Sequence, residues 1–182
     1  YAIAERLDDG KRTLMNAVKS AKEVLGKASV DRIKKLAKKI KHVEHIYVIG
    51  RGISYVASLE TALKLKEISY IHAEGLAAGE LKHGTLALVE KGTPCMVFLP
   101  DDETYGANLA AAMEVKARGG YIIGVSGKPH DVFDYYLPVA DSTEATIIPN
   151  VITGQLLAYY LTIARGLDPD MPRNLAKSVT VK

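Results

Sequence analysis

The sequence predicts an α/β fold, a parallel sheet covered by helices on both faces. Two observations carry this. Short apolar runs alternate with longer segments of helical periodicity, the order that builds strand–helix–strand units. The runs themselves are almost wholly apolar, as strands buried on both sides must be. Glycines punctuate the junctions.

The elements follow in order. Lys11 to Leu25 reads as an amphipathic helix, with Leu14, Val18, Ala21 and Leu25 at helical spacing and Gly26 as its stop. Ser29 is expected to cap a second helix with Ile33, Leu36, Ala37 and Ile40 on its inner face. Its other face holds Lys34, Lys35, Lys38, Lys39 and Lys41, a solvated strip or an anion-binding one. His45 to Gly50 (HIYVIG) reads as a strand, Arg51-Gly52 as a loop, and Ser54 to Tyr70 as a helix. Pro94 to Leu99 (PCMVFL) is the next strand, followed by a helix over Tyr105 to Arg118 that Gly119-Gly120 breaks. Tyr121 to Val125 is a third strand and Tyr136 to Val139 a weaker one. A last helix spans Asn150 to Ala164, with Gly166 as its stop. The tail beyond it is polar, carries Pro169 and Pro172, and is expected to lack regular structure until it docks.

Bulk properties narrow the function classes. At 182 residues the chain is long enough for one domain with a buried core. Its net charge of +3 gives no ground for nucleic-acid binding. No apolar stretch approaches the ~20 residues of a membrane span, so no membrane partner is expected. The single cysteine, Cys95, sits inside an apolar run, cannot form an internal disulfide, and suits a reducing cytoplasm. The chain begins at Tyr1 rather than Met, as a piece of a longer protein would.

Three segments carry candidate chemistry. Gly50-Arg51-Gly52-Ile53-Ser54 joins a strand to a helix, where backbone N–H groups and the helix dipole suit a phosphate, with the Ser54 hydroxyl adding to them. Tyr55 stands where a dinucleotide fingerprint needs its third glycine, which argues against a nicotinamide cofactor. The competing reading is that the glycines only permit close packing. Glu60, Lys64 and Glu67 share one helix face at i, i+4 and i+7. They form either an exposed ladder worth ~0.3–0.5 kcal/mol per pair or a half-buried group that moves a proton beside a carbonyl. The segment His72 to Gly84 mixes glycine and alanine with two histidines, two glutamates and a lysine, as functional loops do. His83 on its own could equally be a solvent or capping histidine. No cluster has metal-ligand spacing such as H-E-x-x-H, so no metal and no other cofactor is expected.

The run Ala62 to Gly84, ALKLKEISYIHAEGLAAGELKHG, and the ending Pro172 to Val181, PRNLAKSVTV, resemble the second, C-terminal sugar-isomerase (SIS) domain of glutamine–fructose-6-phosphate aminotransferases. The resemblance covers roughly Ile46 to the end. It implies a three-layer α/β/α, flavodoxin-like parallel sheet of about five strands. It also implies roles. Glu67 would be the base that shuttles a proton between carbons 1 and 2 of the sugar. Lys64 would stabilise the enolamine intermediate, and Glu60 would line that site, with Ser54 and Ala176 as further substrate contacts. His83 would open the furanose ring from a neighbouring subunit. Lys177 would form a Schiff base with the open-chain ketose, which requires a desolvated amine.

The implied reaction is fructose 6-phosphate plus glutamine-derived ammonia to glucosamine 6-phosphate, in amino-sugar (UDP-N-acetylglucosamine) synthesis, without a cofactor. Residues 1–44 would link to a preceding lobe, 45–166 form the SIS domain and 167–182 the catalytic tail. A first SIS copy and a glutaminase domain would complete the polypeptide, and the shared site implies a homodimer. Thr85 replaces the family's usual proline after His83-Gly84. A deaminase, a ketose–aldose isomerase or a non-catalytic sugar-phosphate-binding module are the competing functions.

Overall fold

The computed structural model describes residues 2–175. Five parallel strands form one sheet: β1 (His45–Gly50), β2 (His72–Ala77), β3 (Pro94–Leu99), β4 (Tyr121–Ser126) and β5 (Tyr135–Pro138). Their order is β2-β1-β3-β4-β5, that of flavodoxin-like sheets. Five α-helices accompany them: α1 (Ala2–Val24), α2 (Lys27–Ile40), α3 (Ile53–Lys64), α4 (Tyr105–Lys116) and α5 (Ile147–Ala164).

Alternation along each strand divides the core in two. Ile46 and Val48 of β1, Met96 and Phe98 of β3 and Ile123 of β4 face one side, where α2, α3 and α5 supply Ile33, Leu36, Ala57, Ala62, Leu157 and Leu161. Tyr47 and Ile49 of β1 and Cys95, Val97 and Leu99 of β3 face the other, against Ala111, Ala112 and Val115 of α4 and Leu81. This is the three-layer α/β/α arrangement the sequence led us to expect. Burial of Cys95 pushes its thiol up to about 12, the inert behaviour of a core cysteine.

Several boundaries differ from expectation. The second helix starts after Gly26, not Ser29, because Val30 N–H already donates to the Gly26 carbonyl at 3.0 Å. The last helix begins at Ile147, ahead of Pro149. Proline is tolerated there because first-turn N–H groups have no intrahelical partner. Together with the short turn before it, the run Thr143–Ala164 spans 22 residues and is apolar enough to cross a membrane by length and composition. That overturns the expectation of no such stretch, although here its inner face is core.

The segment read as a functional loop contains the missing fifth strand. His72–Ala77 pairs with β1 at six positions, from His45↔His72 to Gly50↔Ala77. It is an edge strand, only partly covered, so its sequence lacks an apolar run. Gly75 lets it lie against α3, since a Cβ there would come within 2.9 Å of the Leu59 backbone. The helix expected to run on to Tyr70 is α-helical only to Lys64 and continues as a π turn over Leu65–Ser69. Ser69 Oγ donates to the Leu65 carbonyl at 2.6 Å, and Tyr70 ends the turn at φ 57°.

Candidate active site

The end of α3 and the π turn place three charged side chains on one half-covered face. Lys64 Nζ donates to Glu67 Oε2 at 2.7 Å and lies 3.7 Å from Glu60 Oε1. Their side chains are 31%, 30% and 33% exposed for Lys64, Glu67 and Glu60, drier than a surface ladder and still open to a ligand. The hydrogen bond to Glu67 holds the Lys64 ammonium above its ordinary value, against a smaller opposing effect of burial, and the Glu60 charge adds to it. A lysine raised on folding contributes stability below the free-lysine value and loses it as pH climbs through the folded value. Lys64 is therefore a fixed cation at neutral pH, one that can stabilise developing negative charge but cannot act as a base.

The other candidate residues are placed differently. His83 follows a short turn over Ala78–Lys82 whose Ala78 and Leu81 pack on the α4 side of the sheet, whereas α3 belongs to the opposite side. Its Nδ1 is 3.0 Å from Glu80 Oε2, with both side chains mostly exposed. One chain thus does not bring His83 to the Lys64 cluster. Ala176 and Lys177 lie outside the described residues. The approach to them is visible: Arg173 N–H donates to Tyr70 Oη at 2.8 Å, and its guanidinium lies 4.1 Å from the Tyr70 ring centroid. The tail therefore leaves the described region beside the turn that carries Glu67. Sequence reasoning missed this tether, and the aromatic Tyr70 directly after the charged face was its available signal.

The glycine loop turns out to be architectural. Gly52 is the N-cap of α3 at φ 58°, and the N–H groups of Ser54 and Tyr55 already donate to Arg51 and Gly52 carbonyls. The crevice beside it, of about 470 Å³, lies where the loops after β1 and β3 diverge, the usual ligand position in such sheets. Here it is lined by Asp101, Asp102, Glu103, Asp141 and Glu144, and repels a phosphate. Ser54, expected among the substrate contacts, is fully buried, and its Oγ has no partner among the described residues. Ser54→Ala removes an unsatisfied buried hydroxyl. It is expected to leave thermal stability unchanged or raise it by up to about 1 kcal/mol, read by thermal denaturation. A clear loss of stability would show that the hydroxyl is satisfied after all.

No group of three or more His, Cys, Asp or Glu among the described residues converges on a metal position.

The sheet order, the helices on both faces and the α3 cluster define a class. The model of the SIS domain family matches residues 39–165, and the chain belongs to that family. Within it, the chain is 46% identical over 155 residues to glutamine–fructose-6-phosphate aminotransferase [isomerizing] of Pyrococcus horikoshii, covering 84% of this chain and 26% of that protein. It spans about a quarter of the length of such relatives. The C-terminal domain of the Francisella tularensis enzyme superposes with a TM-score of 0.72 at 36% identity, over 93% of this chain and 47% of that one. Glucosamine-6-phosphate deaminase of Thermotoga maritima gives 0.65 at 28% identity, over 82% and 45%.

Proposed function

We propose that this chain is the sugar-isomerase lobe of a glutamine–fructose-6-phosphate aminotransferase. It converts fructose 6-phosphate and glutamine-derived ammonia to glucosamine 6-phosphate in a reducing cytoplasm. The observation that carries the reading is the half-covered Glu60–Lys64–Glu67 group at the start of a π turn, in a chain this similar to the aminotransferases.

The chemistry follows from the geometry. Aldose–ketose interconversion moves one proton between adjacent carbons while charge builds on the neighbouring oxygen or nitrogen. Glu67 takes and returns the proton. Lys64, held charged between two carboxylates, stabilises the enolamine, and Glu60 keeps Lys64 in place at the site wall. The Schiff base belongs to Lys177, four residues beyond the Arg173 tether, with Ala176 beside the sugar. His83, displayed on the far side of its own sheet, serves the site of a second subunit, so the enzyme works as a homodimer. The preceding SIS copy holds the sugar phosphate that the acidic crevice here repels, and residues 1–44 join the two lobes. A glucosamine-6-phosphate deaminase is the second reading, favoured by the Thermotoga structure, and it shares the proton-transfer step.

Borohydride added to the complete enzyme with fructose 6-phosphate is expected to leave a reduced sugar adduct on Lys177, located by peptide mass mapping. Lys177→Arg is expected to abolish both adduct and product. An adduct on another lysine would remove Lys177 from the mechanism. Glucosamine 6-phosphate formation from free ammonia without any glutamine dependence would favour the deaminase.

A further inference from the structure

At the opposite, N-terminal end of the strands, β1 and β2 place a second constellation. His45 and His72 are register partners, so their side chains leave the sheet on the same face. Tyr47 and Glu74 form the next pair on that face, two residues along each strand. The four residues border a cavity of about 420 Å³ that Glu90 and Thr93 help to close. Its lining includes two imidazoles, two carboxylates and two hydroxyls, and no lysine or arginine. Such a surface suits a cation.

The two imidazole rings stand with centroids 5.5 Å apart, in edge-to-face orientation at 66°. Two imidazoles bound to one tetrahedral ion, each nitrogen at ~2.0–2.1 Å, bring their ring centroids to roughly 5 Å. The pair is therefore already near the spacing of two ligands on a common metal. Both residues are exposed, which leaves their rings room to turn their nitrogens toward a common ion. Since no third protein ligand converges among the described residues, the ion would keep water in its remaining positions. Glu74 and Glu90 are placed to accept hydrogen bonds from those waters, the outer-shell support common at metal sites.

We propose that His45 and His72 form an open two-histidine site for a divalent transition metal of the imidazole-preferring kind, such as zinc, nickel or copper. The site clamps edge strand β2 to β1. It lies at the other end of the strands from the acidic crevice and takes no part in the proton transfer. The two ligands are 27 positions apart in the chain, on separate strands, which is why no local ligand motif announces them.

The test is a calorimetric titration of the purified chain with zinc chloride, paired with NMR of the histidine Cε1 protons. One ion per chain is expected, with shifts concentrated on two of the five histidines, those of His45 and His72. His45→Gln and His72→Gln are each expected to weaken binding about tenfold or more, since loss of an outer-shell partner alone costs 10–100-fold. His130→Gln is expected to bind as the parent does. Unchanged affinity in His72→Gln, shifts centred on other histidines, or no saturable binding would overturn the proposal. The spectra of the parent protein decide the matter even where a variant fails to fold.

Discussion

Glu67→Gln in the complete enzyme is expected to abolish proton exchange at the sugar while leaving the fold and the Schiff base intact. Glutamine keeps the size of the side chain and can still accept the hydrogen bond that Lys64 makes to Glu67 at 2.7 Å. It cannot take a proton. General-base removal costs typically ~10²–10⁴-fold, and solvent deuterium uptake into the sugar is expected to fall by that order. The adduct trapped by borohydride is expected to persist, because the proposed mechanism forms the imine at Lys177. Stability changes by less than about 1 kcal/mol, as the pair is a third exposed and partly screened. Unchanged deuterium uptake would reduce Glu67 to a salt-bridge partner of Lys64.

Gly50→Ala is expected to be the most damaging conservative change in the lobe's scaffold. A Cβ at position 50 would lie 2.4 Å from the Ser54 carbonyl oxygen and 2.5 Å from its carbon. Both are backbone atoms in the first turn of α3, and cannot swing aside as a side chain would. Relief requires moving β1 or the start of α3, at a cost of about 3 kcal/mol. For a domain of this size that is a drop in Tm of roughly 6–12 °C, read by thermal denaturation. Activity is expected to fall as well, since any shift of α3 carries Glu60 and Lys64 with it. A Tm within a degree of the parent would show that the turn yields more easily than its packing implies.

Four of the five strands announced themselves in the sequence. β1, β3 and β4 are buried nearly throughout, which leaves an apolar run to read, and β5, the other edge strand, kept enough apolar residues to read as a weaker one. β2 did not, because an edge strand needs only one covered neighbour, and His72, Glu74 and Gly75 answer to solvent, cavity and helix contact respectively. The charged face was legible from spacing alone: residues at i, i+4 and i+7 meet on any helix. What spacing could not reveal was how dry the face is, since that depends on the elements around it. Nor could it place His83 on the far side of the sheet, which follows from where β2 pairs. The glycine loop was open to two readings, and the acidic lining of the crevice favours the architectural one. Those carboxylates come from separate loops, Asp101 to Glu103 after β3 and Asp141 to Glu144 after β5, so no single stretch displayed them. Lys177 and Ala176, at the heart of the proposed chemistry, lie outside the described residues and rest on the resemblance of the tail.

The π turn over Leu65–Ser69 also bears on how such a lobe evolves. A single π turn within a helix is what one inserted residue produces, the surplus being absorbed in one wide turn. Everything before it keeps its phase, and everything after it is rotated by about a quarter-turn. Glu60 and Lys64 precede the wide turn, and Glu67 lies within it. Removing one residue between Lys64 and Glu67 would restore a regular helix, but would bring the pair to i, i+2 spacing and so separate the two side chains.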